Sequence, residues 1–101
     1  MPLKVTINGD ELYDYVRIDA ADTTETAQVD RMFNASKNEA LLFLNTDFST
    51  TDENGVVTEH EAPESVKDWL FDRVAQRYEN RGTLPKADFT DIFSHRVISF
   101  K

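Results

Sequence analysis

The chain has 101 residues, a formal net charge of -8, a hydrophobic fraction of 40% and no cysteine. That length allows one domain with a single modest core, and the lack of cysteine excludes a disulfide scaffold and thiolate chemistry. The acidity disfavours adventitious binding to nucleic acid or to an anionic membrane surface.

Met1-Pro2-Leu3-Lys4 leads straight into polar sequence without the hydrophobic region of a signal peptide, and no apolar run reaches membrane-spanning length. A soluble chain is therefore expected, compatible with a reducing cytoplasm. No repeat or low-complexity linker interrupts it, so residues 1–101 are read as one compact unit. Asn8-Gly9-Asp10-Glu11 fits a capping box, with Asn8 as cap, and predicts a short first helix carrying Leu12, Tyr15 and Val16 on one face. Arg17-Ile18-Asp19 breaks that pattern. Asp22-Thr23-Thr24-Glu25 offers a second box, opening a long helix to about Asn45 whose buried stripe is Val29, Met32, Phe33, Ser36, Ala40, Phe43 and Leu44. Leu41 and Leu42 widen the apolar surface, which reads as a widened core in preference to an intersubunit contact.

From Phe48 to His60 the period changes. Ser49-Thr50-Thr51 and Val56-Val57-Thr58 flank Asp52-Glu53-Asn54-Gly55, where Asn-Gly signals a tight turn, so a small β-hairpin is expected. Counted from Thr50, the same residues place Asp52, Asn54, Gly55 and Glu61 at EF-hand positions. Thr50 replaces the leading Asp, however, and Pro63 delays the exit helix, so the hairpin is preferred and no metal or cofactor is expected. Pro63 can occupy the first position of the next helix, and Val66, Trp69, Leu70, Arg73, Val74, Arg77 and Tyr78 recur at helical spacing down to a stop at Gly82. Phe89, Ile92 and Phe93 mark a short fourth helix, and Arg96-Val97-Ile98-Ser99-Phe100 alternates like a strand. The expected architecture is mainly α: a small bundle of about four helices, two long and two short, with a hairpin insertion and an extended C-terminal tail. Its candidate core is Val29, Met32, Phe33, Phe43, Val66, Trp69, Leu70, Val74 and Tyr78.

Catalytic signals are weak. His60 and His95 stand apart from any metal-binding spacing, and no phosphate loop, nucleophile elbow or zincin motif occurs; the chain is not expected to be an enzyme. Arg73, Arg77 and Arg81 fall four residues apart as a basic stripe on an acidic protein. Taken singly, each reads as an intramolecular salt bridge; together they match an acidic surface on a neighbouring copy, for which Asp19, Asp22 and Glu25 are candidates.

Across nearly its whole length the sequence resembles the phage head-tail connector family, the adaptor or head-completion proteins of tailed phages. The resemblance is carried by Leu3-Lys4-Val5-Thr6, by Glu11-Leu12 with Tyr15-Val16-Arg17-Ile18-Asp19, and by the long helix. It continues through Pro63-Glu64-Ser65-Val66-Lys67 leading to Tyr78-Glu79-Asn80-Arg81, then Leu84-Pro85 and Arg96. Asn8-Gly9 is extra length, and the acidic segment between Phe48 and Ala62 is individual to this chain, so no loop contact carries over. The resemblance implies a virion structural protein, assembling as a dodecameric ring on the portal vertex after synthesis in the host cytoplasm. Its partners would be the portal protein, the next head-completion or tail protein, its own copies, and genomic DNA passing without sequence-specific binding. Arg73, Arg77, Arg81, Arg96, Ile98 and Phe100 are the candidate interface residues, with the tail from Arg96 to Lys101 docking on the portal. The -8 charge also suits a different class, a monomeric acidic protein that mimics DNA on a basic site.

Overall fold

A computed structural model describes residues 3–80 and 82–97. In chain order it contains α1 (Glu11–Val16), α2 (Thr23–Leu44), β1 (Thr50–Thr51), β2 (Val57–Thr58), α3 (Glu64–Glu79) and a 3₁₀ helix (Thr90–His95). The fold is thus mainly helical, two long and two short helices with a two-stranded antiparallel hairpin, as expected. None of the described helices is long and apolar enough to cross a membrane.

The start of α2 follows from Asp22, whose side chain accepts the amide protons of Thr24 and Glu25, meeting two donors that the first helical turn leaves unpaired. Its end follows from Asn45, left-handed at φ 56, whose amide returns to the Leu41 carbonyl. The first predicted box is only half made. Gly9 turns the chain at φ 58, the helix begins at Glu11, and Asp10 occupies the cap position without a side-chain bond. Glu11 still reaches back to the Asn8 amide at 2.8 Å. Two boundaries of α3 also differ from expectation. Pro63 is its extended cap, at ψ 151, and not its first helical residue. The helix stops at Glu79, where the backbone and side-chain amides of Asn80 both bond the Gln76 carbonyl, so Gly82 is not needed as a left-handed terminator.

α2 and α3 run antiparallel, placing Val29, Phe33, Ala40 and Leu44 against Val66, Trp69, Leu70, Phe71 and Val74. Leu12 and Val16 close one side from α1, and Ile92 closes another from the 3₁₀ helix. Met32, Phe43 and Tyr78 sit half-buried at the margin of this core. Aromatic contacts extend it: Phe33 meets Phe71 edge-on, while Phe89 stacks between Phe43 at 4.2 Å and Trp69 at 5.2 Å. The Trp69 indole donates to the Asp88 carbonyl at 2.6 Å, which pins the returning segment along α3.

The hairpin pairs Thr50 with Thr58 and Thr51 with Val57, and Gly55 supplies the positive φ of the turn. The Asp52 carboxylate accepts the amides of Asn54 and Val56, so it shapes the turn. At the base of the hairpin, the Lys4 carbonyl accepts the Ala62 amide, and the Thr6 amide and hydroxyl both donate to Glu61.

Candidate assembly surface

The centre of the α2–α3 contact is an ionic cluster. Arg73, 4% exposed, grips Glu39 with Nε to Oε1 at 2.7 Å and Nη2 to Oε2 at 3.0 Å. Its Nη1 donates to the Gln76 side chain and the Pro85 carbonyl, so every edge of the buried guanidinium has an acceptor. One turn later Arg77 shares Glu39 Oε1 at 3.2 Å and donates from Nε to Ser36 Oγ, which itself bonds the Met32 carbonyl. Burial pushes the Glu39 carboxyl up, but the hydrogen bonds and charges of Arg73 and Arg77 outweigh it and hold the group below its ordinary value.

Arg73 and Arg77 thus each make the intramolecular salt bridge expected of them singly, and Arg73 drops out of any outward basic stripe. Arg73 is an internal strut, and Arg77 is bound to Glu39 with part of its side chain exposed. The reason is desolvation: a guanidinium brought between two helices must find a carboxylate, and α2 supplies one opposite both positions. Arg81 lies outside the described residues, as do Ile98 and Phe100. The proposed acidic counterparts are engaged within the chain: Asp22 caps α2, Asp19 accepts the Ala21 amide, and Glu25 accepts the hydroxyl of Tyr78 on α3 at 3.0 Å.

Beside the cluster an open groove of about 420 Å³ is lined by Arg31, Met32, Ala35, Arg77, Asn80 and Leu84. No ion pair joins Arg31 to another described residue. The charged residues lining the groove are Arg31 and Arg77, and Arg77 shares with the buried Arg73 a single carboxylate, Glu39, behind the groove wall.

Near the C-terminal end of α2, Leu42 is 85% exposed, so it does not widen the core as its neighbour Leu41 does. Position decides this: Leu41 falls on the side facing the body, and Leu42 turns a further 100° away. Val97 is exposed too, although its amide donates to the Leu44 carbonyl and its carbonyl accepts from Asn45, tying the start of the tail to α2. The Arg96 guanidinium lies 5.0 Å from the Phe43 ring. Hairpin residues 50–61 are exposed throughout, including Val56 and Val57.

The two histidines are dispersed. His60 bonds Thr50 Oγ1 across the hairpin, and His95 bonds Ser65 Oγ at 2.8 Å with Phe48 against its ring. Among the described residues no group of three His, Cys, Asp or Glu side chains is placed to hold a metal ion. The segment from Thr50 to Thr58 is paired as a hairpin, with Asp52, Asn54 and Gly55 in its turn and Glu61 beyond the second strand. Comparison with protein-family models, with curated proteins and with solved structures finds no match to this chain.

Proposed function

We propose that the chain is a head-tail connector of a tailed phage, a ring protomer on the portal vertex that extends the DNA channel and presents an attachment surface for the next head-completion or tail protein. The observation that supports it best is the separation of two unlike exposed apolar surfaces. Leu42, Val97 and the hairpin valines lie towards the C-terminal end of α2, whereas the Met32–Leu84 groove lies nearer its start. A protomer joined head-to-tail around a closed ring needs two different patches, not one self-complementary one. The net charge of -8 suits a wall along which DNA passes without being held.

The test is reconstitution of the purified chain with the portal protein and adjacent head-completion protein from the same gene cluster, followed by electron microscopy. A ring of this chain on the portal is the expected result. Portal assemblies that stay bare, with the chain instead bound to a DNA-binding protein and released by DNA, would establish the mimic and refute the connector.

A further inference from the structure

The hairpin is fixed at its root and bare at its tip. On the α2 side, Thr46 Oγ1 accepts the Phe48 amide, and Asp47 accepts both the amide and the hydroxyl of Ser49. Phe48 is held at φ 63, a conformation that costs a bulky residue energy and persists only where its surroundings impose it. On the α3 side, the Lys4–Ala62 bond completes the base. Glu61, held by Thr6, belongs to that root; beyond it residues 50–60 are exposed, and an isolated two-stranded hairpin is marginal in water. This arm carries Asp52, Glu53, Glu59 and Glu61 with no lysine or arginine, and exposes Val56 at 58% and Val57 at 46%.

The groove between α2 and α3 is its complement. Met32, Ala35 and Leu84 supply apolar lining, and Arg31 together with Arg77, which has only a shared claim on Glu39, supplies positive charge. In a protein of net charge -8, a groove lined by two arginines and apolar side chains stands out, and the acidic apolar arm matches it in both charge and polarity. Leu44 lies nine positions after Ala35, about 14 Å along α2, which sets the groove apart from the root of the arm.

We infer that the arm of one copy docks in the α2–α3 groove of the next, with Val56 and Val57 against Met32, Ala35 and Leu84, and Asp52 and Glu53 facing Arg31 and Arg77. The contact is heterologous, so repetition closes a ring or extends a filament. A root held in place lowers the ordering cost of docking, since only the tip has to be immobilised. The inference rests on the ring reading for its biological setting, but the contact belongs to this chain alone.

The natural absence of cysteine makes the test clean. Ala35→Cys chain and Val57→Cys chain are mixed at high concentration and oxidised, alone and after addition of portal protein, with far-UV circular dichroism confirming the fold of each. A disulfide-linked heterodimer well above the homodimer yield of either variant is expected. Arg31→Glu should reduce it about fivefold, and Glu53→Lys in the partner should restore it. Equal yields in mixed and unmixed samples, in both states, overturn the docking. A ring recruited to the portal without arm-to-groove cross-links overturns the docking and keeps the connector; cross-links without portal recruitment support the docking and overturn the connector.

Discussion

Glu39→Ala is the most informative single change for stability. It leaves Arg73 buried at 4% exposure with neither of its carboxylate bonds, while Gln76 and Pro85 still accept from Nη1. Orphaning one partner of a fully buried ion pair costs ~3–5 kcal/mol. Because the Glu39 side chain is 25% exposed and Arg73 keeps two acceptors, solvent screening reduces the expected loss to about 2–3 kcal/mol. For a domain of this size that lowers the melting temperature by roughly 10–20 °C, measurable by circular dichroism and by Trp69 fluorescence. Adding Arg73→Met removes the orphaned charge and should recover about 1–2 kcal/mol of the loss. A loss below about 0.5 kcal/mol for Glu39→Ala would put the pair among ordinary surface salt bridges and refute the reasoning, as would a further loss on adding Arg73→Met. The pH dependence has a definite sign. The folded-state carboxyl titrates below its ordinary value of 4.5, so its contribution is complete above that value and is lost as pH falls through the lower, folded one. The stability gap between the native chain and Glu39→Gln should therefore narrow in acid below 4.5.

Tyr15 donates its hydroxyl to Asp72, and that bond first, then burial, pushes the phenol up to about 12. A raised pKa favours the fold below the ordinary value of 10 and loses that contribution as pH rises through 12, so ultraviolet titration should show a late phenol that Tyr15→Phe removes and Asp72→Asn shifts down. Asp22→Ala deprives α2 of its cap and should cost about 1 kcal/mol in urea unfolding, with Asp22→Asn close to neutral; equal losses for both would mean the charge, not the acceptor, matters. Leu42→Ser should leave unfolding within about 0.5 kcal/mol of the native chain but reduce assembly with the portal, and normal assembly would remove Leu42 from any interface.

The helical frame was legible because its determinants are local. Asp22 caps from two and three residues away, Asn45 ends the helix by its own conformation, and Asn54-Gly55 folds back on Asp52. What the sequence hid are partnerships across the fold. Nothing in the α3 spacing distinguishes Arg73, which is buried, from Arg77, which is partly exposed, because the difference lies in which one its neighbours cover. Phe71 fell outside the expected core stripe because that stripe assumed one packing neighbour; α1 supplies a second, and Phe71 lies between Phe33 and Tyr15. The apolar run Leu41-Leu42 looked continuous, yet one residue of helical rotation separates an inward side chain from an outward one.

The charge of the groove depends on the same carboxylate that stabilises the fold, which yields a prediction with two opposite signs. Glu39→Gln removes the carboxylate that Arg73 and Arg77 share, raising the net charge beside the groove by one positive unit while weakening the helix contact. An added unit charge about 7 Å from an arm carboxylate in a water-like dielectric is worth ~0.6 kcal/mol, which salt reduces to roughly a twofold gain in docking. At temperatures where both proteins are fully folded, Glu39→Gln should therefore cross-link arm to groove about twice as well as the native chain, although it melts earlier. The gain should fade with added salt, whereas the loss of stability, arising at a mostly buried pair, should persist. Reduced cross-linking at low salt would mean that the arm reads the shape of the groove and not its charge, and the pairing of Asp52 and Glu53 with Arg31 and Arg77 would then be wrong.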